Sequence, residues 1–150
     1  MTWYRSFTSL LIAAIAVLTI SCSSAQQVAA PTYTSTQIEQ IQAYSPRVVA
    51  LRERIPELKA YIQDQDWINV QTFVHGPLGE LRARMNRLAR QLLPQDQAKA
   101  NELAKDLYNH LVAIDEAAVA RNISVAKRQY QQAIEDFDAF LELVPQAERL

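Results

Sequence analysis

The sequence predicts an all-α protein: an up-down-up-down four-helix bundle behind a flexible N-terminal tether. Three observations predict it. Apolar residues recur three or four positions apart along four successive stretches, the spacing that gathers side chains on one side of a helix. Only two glycines occur in 150 residues, both within His75-Gly76-Pro77-Leu78-Gly79, so the positive-φ positions that hairpin turns and phosphate-cradling loops need are missing. The connectors between stretches are short, which sets neighbouring helices antiparallel. A chain of this length with 49% hydrophobic residues can build one domain with a core.

Residues 1–21 read as a lipoprotein signal peptide. A polar start carrying Arg5 runs into Leu10-Leu11-Ile12-Ala13-Ala14-Ile15-Ala16-Val17-Leu18 and ends in small or polar residues before Cys22. The apolar run is too short for a span, which takes about twenty residues. Leu18-Thr19-Ile20-Ser21-Cys22 resembles the bacterial lipobox, whose cysteine is acylated and becomes the new N-terminus. Thr19 stands where that pattern has Leu, with Leu18 one residue earlier. Acylation accounts for a lone cysteine. Ordinary cleavage would instead leave a free thiol with no second Cys to pair it. Two or three acyl chains hold a protein firmly at a membrane.

Residues 22–44 are expected to be tether and N-terminal segment. Positions 23–35 lack apolar periodicity, and 36–44 read as a separate turn or short helix. The bundle is assigned to 45–145. Its first helix is expected over 45–63, capped by Ser45 with Pro46 at the first position, kinked at Pro56, and apolar at Val48, Leu51, Ile55, Leu58 and Ile62. Asp66 caps a second helix from Trp67, apolar at Val70, Val74, Leu78, Leu81, Met85, Leu88 and Leu92. Because that register survives His75-Gly76-Pro77, the expectation is one helix bent there. Pro94 separates it from a third helix over about 95–120, with Leu103, Leu107, Leu111 and Ile114 inward. A fourth over about 123–143 carries Ala126, Tyr130, Ala133, Phe137 and Phe140. Residues 146–150 form a C-terminal tail.

Fifteen basic against sixteen acidic residues give a net charge of −1, so no general positive field exists to hold nucleic acid. Loss of 1–21 removes Arg5 and no acid, leaving the remainder at net −2. The ligand sets that bundles use for cofactors are missing. Thr72 and Leu107 stand where a Glu-x-x-His pair would need Glu, and one Cys cannot attach haem. No nucleophile-and-base pattern suggests an enzyme. His110 is expected to pair with Asp106 one turn earlier, and His75 to cap carbonyls freed at the bend rather than ligate a surface metal. Asp64/Asp66, Asp115/Glu116 and Glu135/Asp136/Asp138 read as solvated charges. One polar feature stands out: Arg84, Arg87 and Arg90 share a flank of the second helix, with Arg82 on the other. That flank either complements the helix C-terminal dipole or docks an acidic partner.

Asp66-Trp67-Ile68-Asn69-Val70 leading into His75-Gly76-Pro77-Leu78-Gly79-Glu80-Leu81-Arg82, then Leu92-Leu93-Pro94, resembles the cyanobacterial branch of the PsbQ family. Asp115-Glu116-Ala117-Ala118 and Tyr130-Gln131-Gln132-Ala133-Ile134-Glu135-Asp136-Phe137-Asp138-Ala139-Phe140-Leu141 resemble it too. The missing ligand sets already argue against a cofactor or metal, and the resemblance implies a four-helix extrinsic subunit of photosystem II with no active site of its own. It would be lipid-anchored on the lumenal side of the thylakoid membrane. Its implied role is to stabilise the oxygen-evolving complex and its calcium and chloride retention, through the core antenna and the manganese-stabilising extrinsic subunit. The competing class is a lumenal or periplasmic lipid-anchored bundle that binds a metal or small ligand. Dialysis against zinc and copper separates the two.

The N-terminal reading makes the first prediction. The intact mass of the membrane-associated protein should correspond to a chain starting at acylated Cys22, and Cys22→Ala should abolish the modification. An unmodified thiol, or a mature start elsewhere, contradicts it.

Overall fold

The computed structural model describes residues 31–145. Its first helix, α1 (Ser35–Gln63), buries Ile41, Val48, Ile55 and Ile62 at seven-residue intervals, with Leu58 and the half-buried Tyr44 and Leu51 between them. This alternating three-and-four spacing is the seam of a helix packed along its length on neighbours. Pro46 and Pro56 fall off the seam and are exposed. The carbonyls they leave unbonded therefore face water, and the helix continues through both.

The helix begins ten residues before the expected start at Ser45. Thr34 caps it instead: its Oγ1 accepts from Gln37 N at 3.2 Å, and its own N–H donates to Gln37 Oε1 at 2.9 Å. This is a capping box. Residues 35–44, expected as a separate piece, are the first turns of α1. Tyr33, placed in the tether, packs against the core, and this partial burial raises its phenol above the ordinary tyrosine range. Residues 1–30 and 146–150, which include the signal peptide, Cys22 and the C-terminal tail, lie outside the described residues.

The remaining helices are α2 (Trp67–His75), α3 (Leu81–Ala89), α4 (Pro94–Val119) and α5 (Ile123–Leu143). Among the described residues there is no strand. Both α2 and α3 pack on α1 and on α4, while α4 packs on α5 and α5 on α1. They form a four-position ring whose second position is filled by two short helices.

The expected bend is thus an interruption, and Pro77 explains it. In a continuous helix the N–H of residue 77 would donate to Phe73 O, but proline has none. Leu78 N–H donates to Phe73 O instead, at 3.2 Å, one residue late. The ladder slips, α2 ends at His75, and the turn proceeds through Gly79 N–H to Gly76 O (3.1 Å) and Leu81 N–H to Leu78 O (3.0 Å). A Cβ on Gly76 would lie 2.7 Å from Thr72 O, and one on Gly79 2.5 Å from His75 O, so the turn leaves no room for a side chain at either. Neither glycine has positive φ. The inward register nonetheless holds: Val70, Val74, Leu78, Leu81, Met85, Leu88 and Leu92 are all buried.

The α1–α2 and α4–α5 connectors share one design. Gln65 (φ 56°) and Arg121 (φ 52°) take the left-handed conformation just past each helix end. Asp66 N–H then donates to Tyr61 O, and Asn122 N–H to Ala117 O, closing two Schellman endings. The same residues cap the next helices: Asp66 accepts from Asn69 N at 3.2 Å and Asn122 from Val125 N at 3.1 Å. A side chain with a Cβ is disfavoured in the left-handed region and glycine is not. Gln65→Gly and Arg121→Gly should each therefore raise stability, by about 0.5–1 kcal/mol, read as a higher urea midpoint at unchanged slope. A drop in midpoint at both positions contradicts this account of the turns.

Candidate functional site

The side chains that the sequence singles out sit on the outside of the bundle, because the interior is filled without them. Phe137, Phe140, Leu107, Ile114 and Met85 are fully buried, and among the described residues no polar or charged residue is. Polar groups meet at the seams between helices.

On α3 the arginines divide as their helical angles require. The Arg82 guanidinium lies 4.7 Å from the centre of the Tyr108 ring on α4, and that of Arg87 lies 5.3 Å from the Tyr44 ring on α1. Each cation is held over the electron-rich face of an aromatic ring. Arg84 reaches back one turn to Glu80 at 2.6 Å. Tyr44, Arg47, Glu80, Ala83, Arg84 and Arg87 line an open groove of about 400 Å³ between α1 and α3. Arg90 is exposed at the end of α3, outside that lining. The structure thus brings together two of the three expected arginines and adds Arg47. Arg47 was missed in the sequence because it falls at the second position of the expected helix, on which no charged flank stood out.

Neither histidine has the partner expected. His75 Nε2 lies 3.0 Å from Asp115 Oδ1 on α4, instead of capping carbonyls of its own turn. Gln71 Nε2 donates to the same oxygen at 3.3 Å. His110 turns away from Asp106 towards α5, with Nδ1 2.6 Å from Gln129 Oε1 and Nε2 3.3 Å from Asp136 Oδ2. Of the carboxylates expected to be solvated, Asp64, Glu116 and Glu135 are exposed, whereas Asp138 ties two helices: it takes a two-pronged contact from Arg52 on α1, at 2.6 and 2.8 Å. Such forks are the stronger charged hydrogen bonds.

The chemistry of the His110 site follows from donor counting. Gln129 Oε1 can only accept, so Nδ1 of His110 carries the hydrogen. In a neutral ring Nε2 then offers a lone pair to Asp136 Oδ2, and that oxygen has no aligned donor. Burial pushes the Asp136 carboxyl above the ordinary carboxylate range, helped by Asp106 and Glu135 and opposed by His110 and Lys99.

Among the described residues no three of His, Cys, Asp and Glu come together as a metal-binding group. The class defined is an apolar-cored helical bundle that displays a basic groove. The PsbQ family model, described as oxygen evolving enhancer protein 3, matches residues 5–145. A CyanoQ protein from Synechocystis sp. is 45% identical over 148 residues, covering 98% of this chain and 99% of the relative. The chain belongs to the PsbQ family.

A raised carboxyl pKa means that the folded state binds the proton more tightly than the unfolded state. Asp136 therefore favours folding at low pH, and this contribution is lost as pH rises from about 4 through the raised value. Asp136→Asn removes the partly buried charge and offers His110 Nε2 an amide donor. The variant should melt higher than the parent at pH 7, with the gap closing as pH falls towards 4. A variant less stable at pH 7 would show that the ion-pair attraction outweighs burial.

Proposed function

We propose that this chain is a non-catalytic extrinsic subunit of photosystem II that stabilises the oxygen-evolving complex and its retention of calcium and chloride. Membership of the PsbQ family across nearly the whole chain is the observation that carries this reading. The coarser part, an extrinsic subunit associated with photosystem II on the lumenal side, follows from the family. The finer part rests on the molecule's form. A bundle whose buried residues are all apolar has its polar groups at the seams and surface, where they can recognise another protein.

No helix among the described residues is long and apolar enough to cross a membrane. In this reading acylated Cys22 attaches the protein to the thylakoid membrane, and the core antenna and the manganese-stabilising subunit are its neighbours. The docking side is the arginine-bearing flank of α3, with Arg84, Arg87 and Arg90. The break at His75, Gly76 and Pro77 sets how that flank is presented, because it restarts α3 after the slipped ladder.

Photosystem II purified without this subunit should lose oxygen evolution faster in medium low in calcium and chloride, and adding the full chain back should slow the loss. Rebinding without protection would remove the retention role. Failure to bind at any ionic strength would remove the subunit reading itself.

A further inference from the structure

The groove between α1 and α3 combines three guanidiniums with a single carboxylate. Glu80 is already taken by Arg84 at 2.6 Å, and neither Arg47 nor Arg87 has a carboxylate partner among the described residues. The groove therefore carries a local excess of positive charge on a chain that is acidic overall. Arg87 is also pre-positioned: Tyr44 holds its guanidinium 5.3 Å from the ring centre. A guanidinium held in this way loses less conformational freedom when it engages an anion.

The geometry points to a docking site for a carboxylate-bearing segment of a protein partner, seated between α1 and α3 and gripped by Arg47 and Arg87, with Arg84 at its edge. This rests on the extrinsic-subunit reading and deepens it, by adding a residue on α1 and fixing the chemistry of what binds. Charge complementarity argues for carboxylates, because an arginine fork matches the two oxygens of Asp or Glu. The size argues for a segment: about 400 Å³ in an open groove admits a few side chains rather than a folded surface. The groove also spans two elements that are far apart in sequence, so it exists only in the folded bundle. Recognition by it is tied to the correct packing of α3 on α1.

The test uses the full chain and detergent-solubilised photosystem II lacking this subunit, so that no bilayer holds the protein in place. The double variant Arg47→Gln/Arg87→Gln should bind roughly tenfold more weakly or worse at low salt, with a shallower loss of affinity as salt rises. Lys127→Gln/Arg128→Gln, two exposed cations on α5, is the matched charge control and should bind as the parent does. Treating the photosystem with a carbodiimide and glycine ethyl ester, which turns its exposed carboxylates into neutral amides, should lower parent binding to the level of the double variant. It should affect that variant little further. Unchanged binding by a double variant of normal helical content and melting temperature overturns the site. So does a carbodiimide effect equally large on parent and variant. If the double variant binds the photosystem normally but loses binding to vesicles containing phosphatidylglycerol, the groove takes a lipid phosphate and the protein-segment assignment is wrong. A parent chain that does not bind at all defeats the extrinsic-subunit reading instead, and the two failures are thereby told apart.

Discussion

The whole architecture depends on an interior that admits only apolar side chains. Such a core is held by area removed from water and by close packing, neither of which is directional. Orientation between helices must then come from the shapes of interlocking residues and from polar ties at the seams. The ties lie where the helices need them: Arg52 to Asp138 joins α1 to α5, His75 to Asp115 joins α2 to α4, and His110 to Gln129 joins α4 to α5. Each is partly exposed, so each carries less desolvation cost than a fully buried pair would. The same exclusion of polar groups from the core explains why the remaining arginines gather outside.

The missing N–H at Pro77 is the second constraint, and it divides one position of the ring between two short helices. A helix running unbroken from Trp67 to Ala89 would carry its later residues round at a fixed angle from its earlier ones. The slipped bond from Leu78 to Phe73 interrupts the ladder, yet Leu78 and Leu81 face inward in register with Val70 and Val74. On the two flanks of that inward side, Arg87 meets Tyr44 of α1 and Arg82 meets Tyr108 of α4.

Much of this was legible in the sequence, for a definite reason. Apolar spacing reports which residues face inward, and it did so even across the break: every residue assigned inward from Val70 to Leu92 is buried. It does not report hydrogen bonding, so it could not separate a bent helix from an interrupted one. Thr34 and Gln37 have the capping-box spacing, but the start was placed at Ser45-Pro46, whose exposed proline the helix runs straight through. The partners of His75, His110 and Asp138 were not legible, since each lies on another helix and no periodicity encodes it. For the same reason half of the basic groove was visible on α3, while Arg47 awaited the packing of α1.

The tight connector between α4 and α5 gives the ring an uneven distribution of chain entropy. Closing those two helices together orders only a short loop, while bringing Arg52 to Asp138 joins residues 86 positions apart. The entropic cost of closure grows with the length of chain enclosed, if slowly. The α1–α5 seam is thus the costliest part of the ring to close and rests on fewer packed neighbours than the α4–α5 pair. A bundle under thermal or mechanical stress would part first along that seam, leaving the C-terminal helical hairpin as the last structure to come undone.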